Sequence, residues 1–268
     1  MIRIDIKNTF TYKLSRLFML QIVDFVETIG IIGMQFVKSV KYIFLLNFRL
    51  SQIIKSSSMF AFDSLPITLT IVGMTTVIIT MQVAPELVKQ GGGKYIGMLV
   101  ALVMIRELAN VMAGFAIISM IGSSYASEVA TMKVTDQIDA MKALKVDPIR
   151  YLFVPRLISG FVMMPMVFVI TSFVGLVCGW ATTMLTTHGV STLNYIESIW
   201  EGLQVRDIFV ALLKASVFGF SIVLVSLCCG IMANGGAKGV GIATTKAVVW
   251  SFITIAVIDY LFALIFYF

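Results

Sequence analysis

Charge is what this chain has least of. Over 268 residues only 13% are Asp, Glu, Lys or Arg, 59% are hydrophobic, and the mean hydropathy is +0.99. So few charges cannot cover a soluble globule of this size, which leaves an integral membrane protein. The net charge of +6 is spread between apolar runs instead of forming one basic face, so no nucleic-acid partner is implied. Cysteine is scarce and histidine nearly absent. Cys178, Cys228 and Cys229 lie in apolar runs without a Cys-x-x-Cys pair, and His188 is the one histidine, so neither a disulfide framework nor a metal site is expected. A phosphate-binding loop is missing too: Gly91-Gly92-Gly93-Lys94 runs into Tyr95, and Lys238 into Gly239. The chain therefore cannot cradle nucleotide phosphates in the P-loop manner, and energy for any work must come from another subunit or an ion gradient. Met1 to Lys13, of mixed charge, lead into no short apolar core with a small-residue cleavage site, so no cleaved signal peptide is expected and the mature chain should start near Met1.

What is present is a set of long apolar runs. They predict an all-α membrane protein with five transmembrane helices at about 65–87, 95–121, 157–185, 208–232 and 247–268. Pro66 and Pro85 stand at the two ends of the first span, where proline costs a helix least. The third run would be roughly 43 Å long at 1.5 Å per residue, against a hydrocarbon core of about 30 Å. It must tilt, kink or project, and Pro165 is the candidate kink. Gly175 and Gly179 on that run form a small-xxx-small step that lets helices approach closely. Between the spans, Lys55 to Ser58 reads as a short link, Gln90 to Lys94 as a turn, Thr186 to Asp207 as a polar connection, and Asn234 to Lys246 as a glycine-rich loop.

Ahead of the first span, residues 14–37 are largely apolar, but Gln21, Asp24, Thr28 and Gln35 recur at steps of three, four and seven, which draws a polar stripe along a helix. Two readings stand: an amphipathic helix lying in the membrane interface, or a poor transmembrane span that would bury Asp24 and Glu27 in lipid. Lys38, Lys41, Arg49 and Lys55 then make a basic approach to the bilayer, so residues 1–60 form an N-terminal cytoplasmic or interfacial segment and 61–268 the membrane domain. Five spans put the N-terminus, residues 127–156 and the glycine-rich loop on one side. That side holds fifteen Lys and Arg, and the other holds three, Lys89, Lys94 and Arg206. By the positive-inside rule the N-terminus is cytoplasmic and the C-terminus outside.

Two groups of residues could carry function. Arg106 and Glu107 in the second span, Lys214 in the fourth and Asp259 in the fifth are charges at membrane depth, and they sum to zero. Isolated charges there cost several kcal/mol, so they must face the bundle interior and pair across helices. Arg106 and Glu107 point about 100° apart on a helix, so at least one of them should reach Lys214 or Asp259. They either staple the helices or line a polar cavity whose pairing changes as the bundle opens. The second group is the polar island Ser127 to Arg156, which carries nine of the 34 charges. Val134, Ile138, Met141 and Lys145 share one helical face there, and Asp147-Pro148 stops the helix. Such a helix can lie on the headgroups or dock to a cytoplasmic partner.

At this point the residues carry a resemblance. Glu128-Val-Ala-Thr-Met-Lys-Val-Thr-Asp-Gln-Ile-Asp-Ala-Met141, followed by Val146-Asp-Pro-Ile-Arg-Tyr-Leu-Phe-Val-Pro-Arg156, resembles the central signature of the MlaE/YrbE family of ABC-transporter permeases. Ile105-Arg-Glu-Leu108 and Gly235-Gly-Ala-Lys-Gly-Val-Gly-Ile-Ala-Thr-Thr-Lys-Ala-Val-Val249 are similar to two further motifs of that family, in the same order. The resemblance covers roughly residues 60–268. It implies a homodimeric permease of the inner membrane that moves phospholipid or a related lipid, driven by cytoplasmic ABC ATPase subunits that bind the ATP and Mg, with a periplasmic MCE-domain protein as the tunnel. It also implies that about 127–146 is the coupling helix, with Glu128, Thr135, Asp136, Asp139 and Arg150 contacting the ATPase, and that Arg106, Glu107, Lys214 and Asp259 match the family's intramembrane charges. The chain would have no catalytic site or cofactor of its own. It departs from the family pattern at Ala109-Asn110, where Gly-Pro is common, and at Met120, where an arginine is common. The residues alone keep an alternative in view, an ion-coupled secondary transporter using Glu107 and Asp259, although five spans do not divide into two inverted halves. A non-transporting scaffold is the third reading.

Overall fold

In the computed structural model residues 10–44, 50–187 and 190–267 are described, the side chains of 10–25 and 44 excepted. The expectations placed on the Met1 to Lys13 leader, on the Gln21 and Asp24 side chains, on Arg49 and on His188 lie outside what is described. The chain is helical: α1 (Phe10–Phe44), α2 (Leu50–Lys89), α3 (Gly93–Val134), α4 (Gln137–Ala143), α5 (Ile149–Thr186), α6 (Thr192–Gly202), α7 (Val205–Ile231) and α8 (Gly236–Tyr267). Among the described residues there is no strand. Five of these helices, α2, α3, α5, α7 and α8, are long and apolar enough to cross a membrane, and α1 is not among them.

Four connections differ from the sequence expectation, each for a local reason. The Lys55 to Ser58 link is helical, because a widened π turn over Met59–Asp63 carries the helix on, and Ser64 Oγ donates back to the Phe60 carbonyl at 2.6 Å. The polar connection after the third span contains α6, which Ser191 caps by accepting from the Asn194 N–H at 3.2 Å. The glycine-rich loop is only a turn. Gly235 and Gly236 take φ of 87° and 69°, which side-chain-bearing residues rarely adopt, and α8 begins at once. The island, finally, is not one helix over 127–146. The second span's helix runs unbroken to Val134, Asp136 turns left-handed with φ 59°, and α4 starts afresh at Gln137. Aspartate tolerates that conformation better than most residues, which is why the break falls there.

The spans pack with α7 the most buried and α8 the most peripheral. α5 lies between α2 and α7, while α3 is covered by α7 and α8. Hydroxyls on these apolar helices satisfy themselves on the preceding turn, as Thr68, Thr75 and Thr76 do on the carbonyls of Ser64, Ile71 and Val72 at 2.7 to 2.9 Å. Glycines set the closest crossings. A Cβ on Gly160 of α5 would stand 2.7 Å from the Gly219 carbonyl of α7, and one on Gly219 would collide with the Gly160 carbonyl. The Gly175 to Gly179 step does the same against α2 and α3: a Cβ on Gly175 would come within 2.6 Å of Met104 Cε. Pro165 stays inside an uninterrupted α5.

The bundle has two polar ends. α1, α4 and the start of α8 share one, since Tyr42 of α1 reaches Asp147, and Thr28 of α1 lines a small cavity with Asn234 and Lys246. α6 and the end of α8 share the other, where Arg206 donates to the Phe266 carbonyl at 3.0 Å. This is the grouping of segments that five alternating spans require.

The α5–α7 crossing yields a test. Gly219→Val should force the two backbones apart and destabilise the bundle by about 3 kcal/mol, whereas Gly241→Ala, whose new Cβ would meet nothing within 4 Å, should be neutral. Unfolding midpoints of the two purified variants in an SDS titration check the contrast.

Candidate functional site

Arg106 and Glu107 sit in a π turn of α3, Met104–Leu108, where the Ala109 N–H reaches back to the Met104 carbonyl. Such widened turns recur at functional sites. Both side chains turn to α7, but to different partners. Glu107 Oε2 lies 2.6 Å from Lys214 Nζ. Arg106 instead makes a bidentate contact with Asp207, Nε to Oδ1 and Nη2 to Oδ2, both at 3.0 Å. Lys214 completes its shell with Asp259 of α8 and with the Arg106 carbonyl at 3.0 Å. Its side chain is 0% exposed, while those of Glu107 and Asp259 are 37% and 25% exposed. One buried ammonium thus holds two carboxylates from two different helices, and both carboxylates open toward the side of the bundle. A charge buried so completely is tolerated only with such compensation.

Asp207 is the residue that sequence reasoning missed, having placed it at the end of a loop. It is the N3 residue of α7, and with Gln204 it forms a capping box in which Oδ2 accepts from the Gln204 N–H at 3.3 Å. The signal was there, a Gln followed three residues later by Asp just before an apolar run. The carboxylate sits at the helix N-terminus, where the dipole also favours it. Arg106 further lies 4.8 Å from the Tyr267 ring centroid. The departure at Asn110 also has a structural account. Its side chain is buried and its Nδ2 donates to the Ala211 carbonyl at 3.1 Å, a clasp between α3 and α7 that proline could not make. Nothing in the structure explains Met120, which is exposed.

At the opposite end, the island folds into an ordered tip. Asp139 Oδ2 meets Lys133 at 3.0 Å and its Oδ1 meets Lys142 at 2.8 Å, tying α4 back to α3 across the break. Those two hydrogen bonds, Lys142 first, hold the Asp139 carboxyl below the usual carboxylate range. α4 ends in a Schellman arrangement, with Val146 N–H to the Met141 carbonyl and Lys145 N–H to the Lys142 carbonyl, both at 2.9 Å, and Lys145 in the left-handed position with φ 59°. Ile138 is buried beneath the tip, and Leu144 is 78% exposed at its apex. Asp147 then joins three elements: Oδ1 accepts from the Ile149 N–H at 2.9 Å and Oδ2 from Tyr42 Oη of α1 at 2.5 Å. The Asp147 hydrogen bond and charge raise the Tyr42 phenol above its ordinary value, with Arg150 opposing.

Of the five residues expected at a partner surface, Thr135, Asp136 and Asp139 share the exposed tip. Arg150 is exposed on the first turn of α5, on the Tyr42–Asp147 side. Glu128 stands apart. Its Oε1 takes Arg156 Nη2 at 2.6 Å, fastening α3 to α5, and Arg156 stacks over Tyr125 at 5.0 Å.

Comparison with known proteins agrees with this architecture. Residues 53–265 match the family model described as permease MlaE. Curated relatives include a "Probable ABC transporter permease protein" of Synechocystis, 36% identical over 74% of this chain and 75% of its own length. Another from Rickettsia prowazekii is 33% identical over 95% of this chain and 98% of its own. The Arabidopsis thaliana chloroplast protein TRIGALACTOSYLDIACYLGLYCEROL 1 is 34% identical over 75% of this chain and 56% of its own.

The charge cluster and the tip make separable predictions. Lys214→Met should cost about 3–5 kcal/mol by stranding Glu107 and Asp259, and adding Glu107→Gln and Asp259→Asn should recover most of the loss. A double-mutant cycle on SDS unfolding midpoints reads the coupling. The Asp139 clasp is complete above the ordinary aspartate pKa of about 3.9 and is lost only as pH falls through the lowered folded value. A spin label at residue 144 should therefore show unchanged mobility from about pH 8 to pH 5 and loosen below about pH 4.

Proposed function

The chain belongs to the MlaE permease family and is a multi-pass permease subunit of an ABC transporter, and from that premise we propose that it carries a phospholipid or related lipid across the inner membrane. The motor is a cytoplasmic ATPase that binds ATP and Mg. The observation that carries this reading is the course of α3. One helix, Gly93–Val134, bears Arg106 and Glu107 near one end and leads into the exposed tip at the other. From Glu107 to Val134 it runs about 40 Å at 1.5 Å per residue, enough to join a group inside the bilayer to the aqueous side. A displacement of the tip by a moving ATPase is delivered along this rod to the Lys214 cluster.

In this mechanism Thr135, Asp136, Asp139 and Arg150 form the ATPase contact, and Glu128 holds the rod to α5 through Arg156. A shift of α3 against α7 and α8 loosens Lys214 from Glu107 or Asp259. The freed ammonium is a partner for a lipid phosphate, and while the site is empty the two carboxylates hold it. The outward stripe of α8, with Val249, Ile253, Val257, Tyr260 and Leu264 exposed beside Asp259, suits a second copy of this chain across a shared lipid cavity. The N-terminus and tip face the cytoplasm by their excess of Lys and Arg. The C-terminus and α6 face the periplasm, where an MCE-domain protein receives or delivers the lipid. The Arabidopsis relative, whose name contains a diacylglycerol glycolipid, supports a lipid cargo. The ion-coupled alternative is not carried further, since membership of an ABC permease family assigns the motor to another subunit and both Glu107 and Asp259 are engaged by Lys214.

Asp139→Lys puts a third cation beside Lys133 and Lys142. In proteoliposomes it should lower ATP-driven phospholipid transfer and lipid-stimulated ATP hydrolysis at least tenfold, about 1.4 kcal/mol at the contact, without lowering the unfolding midpoint by a similar amount. Full transfer by this variant would sink the coupling role of the tip, and wild-type transfer without nucleotide would sink the proposed motor.

A further inference from the structure

Between α1 and the tip lies a cleft of about 690 Å³ whose chemistry neither the permease mechanism nor the coupling contact uses. Four lysines line it, Lys38 and Lys41 from α1 and Lys142 and Lys145 from the tip. Lys38 and Lys41 stand three residues apart on α1 and so share one side of its helix, while Lys142 is on the last turn of α4 and Lys145 on the turn that follows it. Asp147 is the one acid in the lining, and both its oxygens are occupied, by Tyr42 Oη and the Ile149 N–H. Lys142 is held by Asp139, whereas Lys38, Lys41 and Lys145 have no acidic partner within 4.0 Å among the described residues. The floor is apolar, formed by Ile138, Val146 and Pro148. Three uncompensated cations above an apolar floor, at the end of the bundle where α1 meets the tip, match one chemistry: a phosphate group, carried by an amphiphile or by a small solute.

We propose that this cleft binds a phosphate-bearing anion, which bridges α1 to the tip and steadies the tip for coupling. Lys38 and Lys41 hold the phosphate from α1, and Lys145 closes on it from the tip. The ligand competes with no group of the Lys214 cluster, which lies at the other end of α3.

The test uses the full chain in nanodiscs, without ATPase or cargo assay, so its result is independent of the transport reading. Wild type and Lys38→Gln/Lys41→Gln/Lys145→Gln are compared in phosphatidylcholine alone, in phosphatidylcholine with phosphatidylglycerol, and in phosphatidylcholine with added inorganic phosphate. Readouts are the thermal unfolding midpoint and anionic lipid retained in native mass spectrometry. Phosphatidylglycerol should raise the wild-type midpoint and remain bound, with retention falling roughly fivefold per lysine removed. The arginine triple variant should keep the effect, which excludes a folding defect in the glutamine variant. A midpoint shift with inorganic phosphate that vanishes in the glutamine variant supports a soluble source in place of the lipid. Equal anion responses in wild type and the glutamine variant overturn the site. Phosphatidylglycerol retention unchanged in the glutamine variant overturns it too.

Discussion

A single buried ammonium organises the membrane half of this protein. Lys214 has no exposed surface, so water cannot compensate it, and a lone cation in an apolar bundle would cost several kcal/mol. Its neutralisation needs Glu107 from α3 and Asp259 from α8, together with the Arg106 carbonyl from the π turn. Three spans must therefore arrive together. The peripheral α8, which buries little apolar surface, is held in register by this contact as much as by packing. Two carboxylates on one cation also leave an excess negative charge, and Arg106 with Asp207 does not remove it.

α3 gives that cluster a mechanical address. It is the helix that both senses the tip and carries the charges, and two π turns, Met104–Leu108 and Ile118–Gly122, interrupt its regular winding on the way. Such turns are places where a helix changes phase without breaking, so the face that carries Glu107 is set by both of them together. The tip in turn is braced from three sides: by Asp139 to Lys133, by Glu128 to Arg156, and by Asp147 to Tyr42. The first spans six positions, the other two 28 and 105, and together they make this end of the bundle a small folded unit instead of a surface float.

Much of this was legible beforehand, and the failures have physical causes. The five spans follow from hydropathy because burying a backbone in lipid demands long apolar helices. The intramembrane charges were identifiable because a charge at that depth requires a partner. Their pairing was not, since Arg106 and Glu107 are adjacent and only the π turn and the phase of α7 decide which reaches Lys214. Asp207 was passed over because a polar run reads as loop when judged by hydropathy, although its capping pattern marked a helix start. The island was read as one helix from its periodicity, and the break at Asp136 depends on a backbone conformation that periodicity does not report. Glu128 is exposed, and that it also fastens α3 to α5 depends on the approach of Arg156, 28 positions on.

The sequence by itself determined that this is a five-span helical membrane protein, which end is basic, which residues are charged at depth, and that the chain lacks a nucleotide-binding loop. These are properties of composition and local order, where each residue's cost in lipid or water can be assessed alone. Only the tertiary structure decided that Lys214 serves two carboxylates, that Arg106 belongs to Asp207, and that α3 connects the charge cluster to the tip as one rod. It also decided that four lysines from two segments about a hundred residues apart line one cleft. Those outcomes depend on how helices distant in sequence cross and rotate against one another. That geometry is set by glycine contacts and ion pairs between elements, which no local pattern encodes.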